Sequence, residues 1–181
     1  MINPDYPLFV GFIGPAGSGK TETAKAIVPT SRFGGYGAAA DHISGNALPD
    51  IVWDHYWLSL PLYDMYEIRT KITGTDAKNR QLYQISEIVN QMMAKKISYD
   101  DMIELVYNIY SFPIDSNEEK PRSFLQGVGD LCRKADNNCF TNFMHYTIEN
   151  NWRLLKEEYE REEVDPPLYI VLVSDVRMPW E

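Results

Sequence analysis

Residues 14–21 read Gly-Pro-Ala-Gly-Ser-Gly-Lys-Thr and match the complete pattern G-x-x-x-x-G-K-[ST]. The residues on both sides supply the strand and the helix that such a loop needs. Before it, Leu8–Ile13 is an apolar run interrupted only by Gly11, which predicts a strand buried on both faces of a parallel sheet. After it, residues 20–28 are compatible with a helix that Pro29 ends. A chance glycine-rich turn would have no reason to lie in this context, so the sequence predicts a phosphate-binding loop.

The loop residues indicate how a nucleoside triphosphate and Mg²⁺ would be held. Glycines let successive backbone N–H groups turn toward a polyphosphate, and the start of the following helix adds partial positive charge. Lys20 can reach the β- and γ-phosphates, and the Thr21 hydroxyl can ligate Mg²⁺. The predicted cofactor-binding residues are Gly14, Ala16, Gly17, Ser18, Gly19, Lys20 and Thr21.

Composition predicts one folded domain that is not attracted to nucleic acid. The 181 residues are 44% hydrophobic, which is enough apolar side chain for one core. The net charge of −9 makes a sequence-independent contact with nucleic-acid backbone unexpected. No apolar run approaches the roughly 20 residues that span a bilayer, which predicts a cytoplasmic protein without a membrane partner. Cys132 and Cys139 are predicted to be buried free thiols.

Short apolar runs alternate with longer helical stretches, which is typical of an α/β fold with a mostly parallel sheet. A second strand is predicted at 55–60, ended by Pro61, and a third at 168–173. Helices are predicted at 62–71, 76–94, 99–110, 122–134 and 140–161, with Ser98 as the N-cap of the third. The glycine-rich residues 31–45 predict a connection around a short strand at 38–40.

The end of the third predicted strand carries a second group of candidate residues. Ligands of open α/β sheets bind at the carboxyl ends of strands, where Asp175 and Arg177 follow an apolar run. Asp175 is placed like the acidic residue that holds Mg²⁺ in phosphate-loop enzymes, and Arg177 would face a transferring phosphoryl group. Lys20, Asp175 and Arg177 are therefore the predicted catalytic residues, and Thr21 and Asp175 the predicted metal ligands. A structural Asp175–Arg177 pair is the open alternative.

Two segments of the sequence are informative in addition to the loop motif. Residues 122–133 are Arg-Ser-Phe-Leu-Gln-Gly-Val-Gly-Asp-Leu-Cys-Arg, and residues 173–181 are Val-Ser-Asp-Val-Arg-Met-Pro-Trp-Glu. Together the three segments resemble the deoxynucleoside monophosphate kinases of bacteriophages, within the wider nucleoside monophosphate kinase group. The last segment is close to that family's Ser-Asp-Val-Arg-aromatic-Pro-Asn-Glu, from which Met178 and Trp180 depart. Leu60 also departs, since family members often carry an acid before the following Pro-Leu.

The resemblance implies a three-layer sandwich of the P-loop NTPase type that uses ATP and Mg²⁺ to phosphorylate deoxynucleoside monophosphates. A monophosphate acceptor is already anionic, so the reaction needs charge neutralisation rather than a general base. Bidentate arginines suit that task. The predicted substrate-binding residues are Arg69, Arg122, Gln126 and Arg133, and the Gln126 amide could contact a base edge. Salt bridges on a solvated helix face are the open alternative for Arg122 and Arg133.

The resemblance also sets expectations for organisation and partners. Residues 1–181 are predicted to form a single kinase domain with a helical substrate-binding region at about 62–165. Related kinases continue past the Ser-Asp-Val-Arg segment, so a shortened protein or a fragment is expected. The expected partner is a deoxynucleoside monophosphate in the host cytoplasm, and a homodimer is an open assembly. Two other functions stay open: a phosphate-loop kinase of another small phosphorylated metabolite, and a nucleotide-binding module without turnover.

Overall fold

The computed structural model describes residues 6–13, 19–20, 22–23, 51–94, 96–115, 118 and 120–176. Three strands lie within these ranges: β1 (Leu8–Ile13), β2 (Ile51–Trp57) and β3 (Leu168–Val176). Five long helices accompany them: α1 (Leu60–Lys71), α2 (Ala77–Met93), α3 (Tyr99–Ser111), α4 (Arg122–Ala135) and α5 (Cys139–Arg161). The predicted connection at 31–45 and its short strand lie outside the described residues, as does the predicted helix beyond Thr23.

The three strands form one parallel sheet in the order β1–β3–β2. The central strand β3 begins its pairing with β1 at Ile170, opposite Leu8, and its pairing with β2 at Leu168. Parallel neighbours need long crossover connections, which are usually helical. In this chain all five long helices lie between β2 and β3. The parallel sheet confirms the predicted α/β class.

The burial of β1 differs from the prediction. β1 has the predicted bounds, but Leu8, Phe9 and Val10 are 37%, 44% and 38% exposed instead of buried on both faces. Among the described strands β1 is at the edge of the sheet, with β3 on one side. The apolar run therefore identified the strand but not its place in the sheet, because edge and central strands can share residue types.

The second strand lies earlier in the chain than predicted. β2 spans Ile51–Trp57 instead of 55–60, and α1 begins at Leu60 with Pro61 in its first turn. Proline suits that position because a first-turn N–H has no partner within the helix and the φ of proline is already helical. Pro61 thus helps to begin a helix and does not end the strand. β3 also continues three residues beyond the predicted 173, to Val176.

The helices lie close to their predicted bounds. The Ser98 side-chain oxygen accepts a hydrogen bond of 3.1 Å from the Asp101 backbone N–H, which confirms the predicted N-cap of α3. α2 ends at Met93, after which Ala94 adopts a left-handed conformation with a φ of 45°. None of the helices in the described ranges is both long and apolar enough to cross a membrane.

The chain packs as two compact units. The helical unit, Ser59–Tyr146, contains α1 to α4 and the first residues of α5. Its core consists of side chains that are at most 1% exposed: Met65, Ile85, Val89, Met92, Met93, Ile109, Phe124, Val128, Cys132 and Cys139. Both cysteines are free, as predicted. Burial raises the pKa of Cys132 and raises that of Cys139 to about 12, so both stay protonated thiols near neutral pH.

The sheet unit falls within residues 1–58 and 147–181, and its described part includes the sheet and α5 from Thr147 onward. The Trp152 ring of α5 stacks on the Tyr169 ring of β3, with 5.6 Å between centroids. The buried Asp54 carboxylate accepts hydrogen bonds from the hydroxyls of Tyr169 at 2.7 Å and Tyr56 at 3.1 Å. Burial, with Asp54 nearby, raises the pKa of both hydroxyls, so they remain donors.

Candidate functional site

The carboxyl ends of β1 and β3 meet at one edge of the sheet. Ile13, the last residue of β1, pairs with Val176, the last residue of β3. The loop motif begins at the residue after Ile13, and Asp175 directly precedes Val176. The residue before the predicted phosphate loop and the residue after the predicted metal ligand are therefore paired neighbours. Open α/β sheets bind their ligands at this edge.

A helix begins at the other end of the loop motif. The Gly19 carbonyl accepts a hydrogen bond of 2.8 Å from the Thr23 backbone N–H, which is the bond of a first α-helical turn. Gly19 has a φ of +79°, a conformation that favours glycine. Lys20 is the first helical residue and is half-buried. The strand predicted before the motif and the helix start predicted after it are both confirmed.

The register between β1 and β3 shifts at this edge. From 11 to 13 β1 advances two residues, while its pairing partners in β3 advance three, from 173 to 176. Ser174 and Asp175 therefore lie opposite Phe12 alone, an irregularity of the β-bulge type, which is common at sheet edges and beside active sites. The sequence predicted Asp175 just beyond the strand, and the structure corrects this by placing it within β3, at the bulge.

A buried side-chain pair joins β2 to the bulged part of β3. His55 Nε2 lies 2.8 Å from Ser174 Oγ, and both residues are fully buried. Either group can donate the hydrogen bond, depending on the imidazole tautomer. The pair is not apparent in the sequence because 119 positions separate its members. The available signal was a pair of adjacent polar residues within each strand, Asp54 and His55 in β2 and Ser174 and Asp175 in β3.

Several predicted site residues lie outside the described ranges: Gly14, Ala16, Gly17, Ser18, Thr21 and Arg177. For Asp175 the structure gives the backbone position in β3. The roles of these residues in binding phosphate and metal and in transfer stay predictions. Within the part of the chain that the structure describes, no three His, Cys, Asp or Glu side chains form a group able to hold a metal ion.

Arg69 of α1 contacts the end of α3 within the helical unit. Its Nη1 donates to the backbone carbonyl of Phe112 and, at 3.3 Å, to that of Ile109. The guanidinium also lies over the rings of Tyr110 and Phe124, at 5.5 and 5.8 Å from their centroids. Burial lowers its pKa, although an arginine stays charged at neutral pH. These contacts give Arg69 a structural role, and its substrate-binding role stays a prediction.

The helix α4 carries the other three predicted substrate-binding residues at exposed positions. Arg122 begins the helix, Gln126 follows one turn later, and Arg133 lies about 16 Å from Arg122 along the axis. The Arg133 guanidinium lies over the Phe140 ring, 4.8 Å from its centroid. Their exposure leaves all three polar side chains accessible to a ligand.

The half-buried carboxylate of Asp64 in α1 was not among the predicted site residues. Partial burial, with the nearby charge of Glu67, raises the pKa of Asp64 to about 6. Its neighbours Leu62 and Met65 are buried in the core. The sequence offered no signal of this partial burial, because Tyr63 lies between the same two core residues and is exposed.

The residues predicted at the sheet edge would supply anion binding beside a metal ligand, and both roles stay predictions. Backbone N–H groups at a helix start, together with the Lys20 ammonium, attract phosphate. A carboxylate such as that of Asp175 is a ligand that Mg²⁺ prefers. These groups suit a phosphorylated ligand with its metal and do not select one compound by themselves. The chain matches no protein-family model, no curated protein and no solved structure.

Proposed function

We propose that the protein is a P-loop kinase of the three-layer type that uses ATP and Mg²⁺ to convert deoxynucleoside monophosphates to diphosphates in the cytoplasm. The observation that carries the proposal is the pairing of Ile13 with Val176. It joins the residue before the loop motif to the residue after Asp175, while Gly19 and Lys20 begin a helix at the end of the motif. Phosphoryl transfer needs both a phosphate cradle and a metal ligand beside it.

Each residue of the donor side has a distinct task in this proposal. The loop backbone and Lys20 would bind the β- and γ-phosphates and hold the γ-phosphate in place. Thr21 and Asp175 would hold Mg²⁺, since both supply oxygen ligands, and the metal would supply positive charge that neutralises the phosphates. Arg177 would neutralise charge on the group being transferred.

The acceptor side is assigned to α4. Arg122 and Arg133 are exposed, and a guanidinium can bind two phosphate oxygens at once. Gln126, one turn from Arg122, offers an amide donor and acceptor to a base edge. Arg69 is the weakest member of the predicted set, because backbone carbonyls and rings already contact its guanidinium.

A coupled phosphotransfer assay tests this function. The purified protein is incubated with ATP, Mg²⁺ and, in turn, each common deoxynucleoside and ribonucleoside monophosphate and a panel of other small phosphorylated metabolites, and ADP formation is followed. We expect ADP only when an acceptor is present, with at least one deoxynucleoside monophosphate among the best acceptors. Turnover confined to other phosphorylated metabolites would favour the second kinase hypothesis. ATP binding without turnover on any acceptor would favour a nucleotide-binding module.

A further inference from the structure

We propose that His55 and Ser174 are positioning residues whose hydrogen bond fixes the bulge at Ser174 and Asp175, and so sets how the Asp175 carboxylate meets the metal of a bound nucleotide. The inference rests on the proposed function and adds to it two residues that lie behind the metal ligand. Neither His55 nor Ser174 is assigned a contact with substrate, since both are fully buried.

The hydrogen bond lies next to Asp175, the residue of β3 that is paired with neither of the other two described strands. On one side, the pairing with β2 ends at Ser174, opposite Trp57. On the other side, the register with β1 shifts between 173 and 176. A bulge leaves its extra residue unpaired and lets the strand bend. The bond between His55 and Ser174 acts at this position, so it supplies a constraint that the backbone pairing does not.

The burial of His55 and Ser174 makes their hydrogen bond costly to break. The 2.8 Å separation of His55 Nε2 and Ser174 Oγ is that of a well-formed hydrogen bond. A buried polar group that loses its partner bears the full desolvation cost, so backbone positions that separate the two residues are disfavoured. The His55 ring also contacts the Trp57 ring, with 5.8 Å between centroids, which restricts its rotation. The imidazole is thus a rigid support for Ser174.

A displacement of Ser174 must move the residue bonded to it, which is Asp175. Groups that orient a metal ligand without touching the metal commonly change metal affinity by about 10- to 100-fold. Losing the His55–Ser174 bond should therefore weaken the contribution of the metal to nucleotide binding. The phosphate loop follows β1 and not β3, so nucleotide binding without metal should change little.

Four substitutions separate positioning from stability. Ser174→Ala and His55→Leu remove the hydrogen bond, whereas His55→Gln keeps a side-chain amide near the position of Nε2. Tyr169→Phe is the matched control, because it removes a buried hydroxyl bond to Asp54 in the same sheet. Tyr169 pairs with Val52 near the start of β3, away from the bulge.

The readout is the affinity of a fluorescent ATP analogue, titrated with and without Mg²⁺, alongside the melting temperature of each variant. Mg²⁺ should strengthen binding to the wild type. In Ser174→Ala and His55→Leu that gain should fall about tenfold, with metal-free affinity unchanged. His55→Gln should keep most of the gain. Tyr169→Phe should lower the melting temperature and keep the gain in full.

Two results would overturn the inference, and they differ. If Ser174→Ala and His55→Leu keep the Mg²⁺-dependent gain, or lose no more of it than Tyr169→Phe, the pair only stabilises the sheet and the proposed function is untouched. If the wild type itself binds the analogue no more tightly with Mg²⁺, the proposed function fails and the positioning role fails with it.

Discussion

The ring of Phe112 lies against the backbone of Gly127, so that a Cβ added at Gly127 would meet Cε2 and Cε1 of that ring at 2.7 and 2.9 Å. Phe112 directly follows α3, and its ring meets the Phe124 ring edge-on, with 6.0 Å between centroids. Glycine at position 127 therefore allows the end of α3 to lie close to α4.

Gly127→Ala should destabilise the protein by about 1–3 kcal/mol, because the Phe112 ring must move out of a packed position. Gly129→Ala in the same helix is the control, since its added Cβ would meet Leu62 Cδ1 at 3.4 Å, and alanine favours a helix over glycine by about 1 kcal/mol. Denaturant unfolding of both variants checks this. Equal stability of the two would contradict the role of the ring.

Lys20→Ala should leave the fold intact and lower turnover by a factor on the order of 10² or more, because an ammonium at the phosphates stabilises charge that develops during transfer. Lys78→Ala, at an exposed position of α2, removes an equal charge and should leave turnover unchanged. Steady-state kinetics and a melting curve on each preparation provide the test. A folded Lys20→Ala protein with normal turnover would remove the loop from the mechanism.

Arg122→Ala and Arg133→Ala should raise the KM for the monophosphate about tenfold or more, with the KM for ATP nearly unchanged, since each removes a charged hydrogen-bond donor from the proposed acceptor side. Lys134→Ala, beside Arg133 and also exposed, is the control for loss of charge on α4. Both constants are measured by varying one substrate at a time. Weaker ATP binding alone would show that the acceptor assignment is wrong.

Arg69→Met should act on stability and not on substrate binding. Methionine keeps an apolar stem but leaves the carbonyls of Ile109 and Phe112 without their donor, for a loss of about 1–2 kcal/mol. The midpoint of denaturant unfolding measures this loss, and the KM for the monophosphate should stay the same. A raised KM at unchanged stability would return Arg69 to the substrate site.

Asp64→Asn should raise the melting temperature at pH 8 but not at pH 4. The pKa of Asp64 lies at about 6 in the folded protein, above its ordinary value of 3.8. The protonated acid therefore favours the folded state below pH 3.8, and this stabilisation is lost as the pH rises through 6. After allowance for solvent screening, a gain of about 1 kcal/mol corresponds to about 2–4 °C. A pH-independent difference would contradict the raised pKa.

Strands and helices that are determined by residues close in sequence were predictable. β1 and α3 were predicted to within one residue, because an apolar run and an N-cap such as Ser98 act through their neighbours. The start of β2 is not determined by residues close in sequence. Aspartate is depleted in strands, yet Asp54 is accommodated because Tyr169, 115 positions away, donates to its carboxylate.

The candidate site likewise has parts that were predictable from the sequence and parts that were not. The loop motif and the acidic end of β3 could be found by reading along the chain, since each is a contiguous segment. The bulge and the His55–Ser174 pair could not, because both depend on which strands are neighbours and in what register. A slip of one residue in register would reverse the face of every side chain in the strand.

The central position of β3 bears on the order in which a nascent chain can fold. β1 and β2 leave the ribosome first, but each pairs with β3, which is synthesised after all five long helices. Helical contacts close in sequence can form during translation, whereas both strand pairings must wait for Leu168–Val176. During that interval apolar segments such as Leu8–Ile13 lack their partner, which is the condition under which nascent chains aggregate and recruit chaperones.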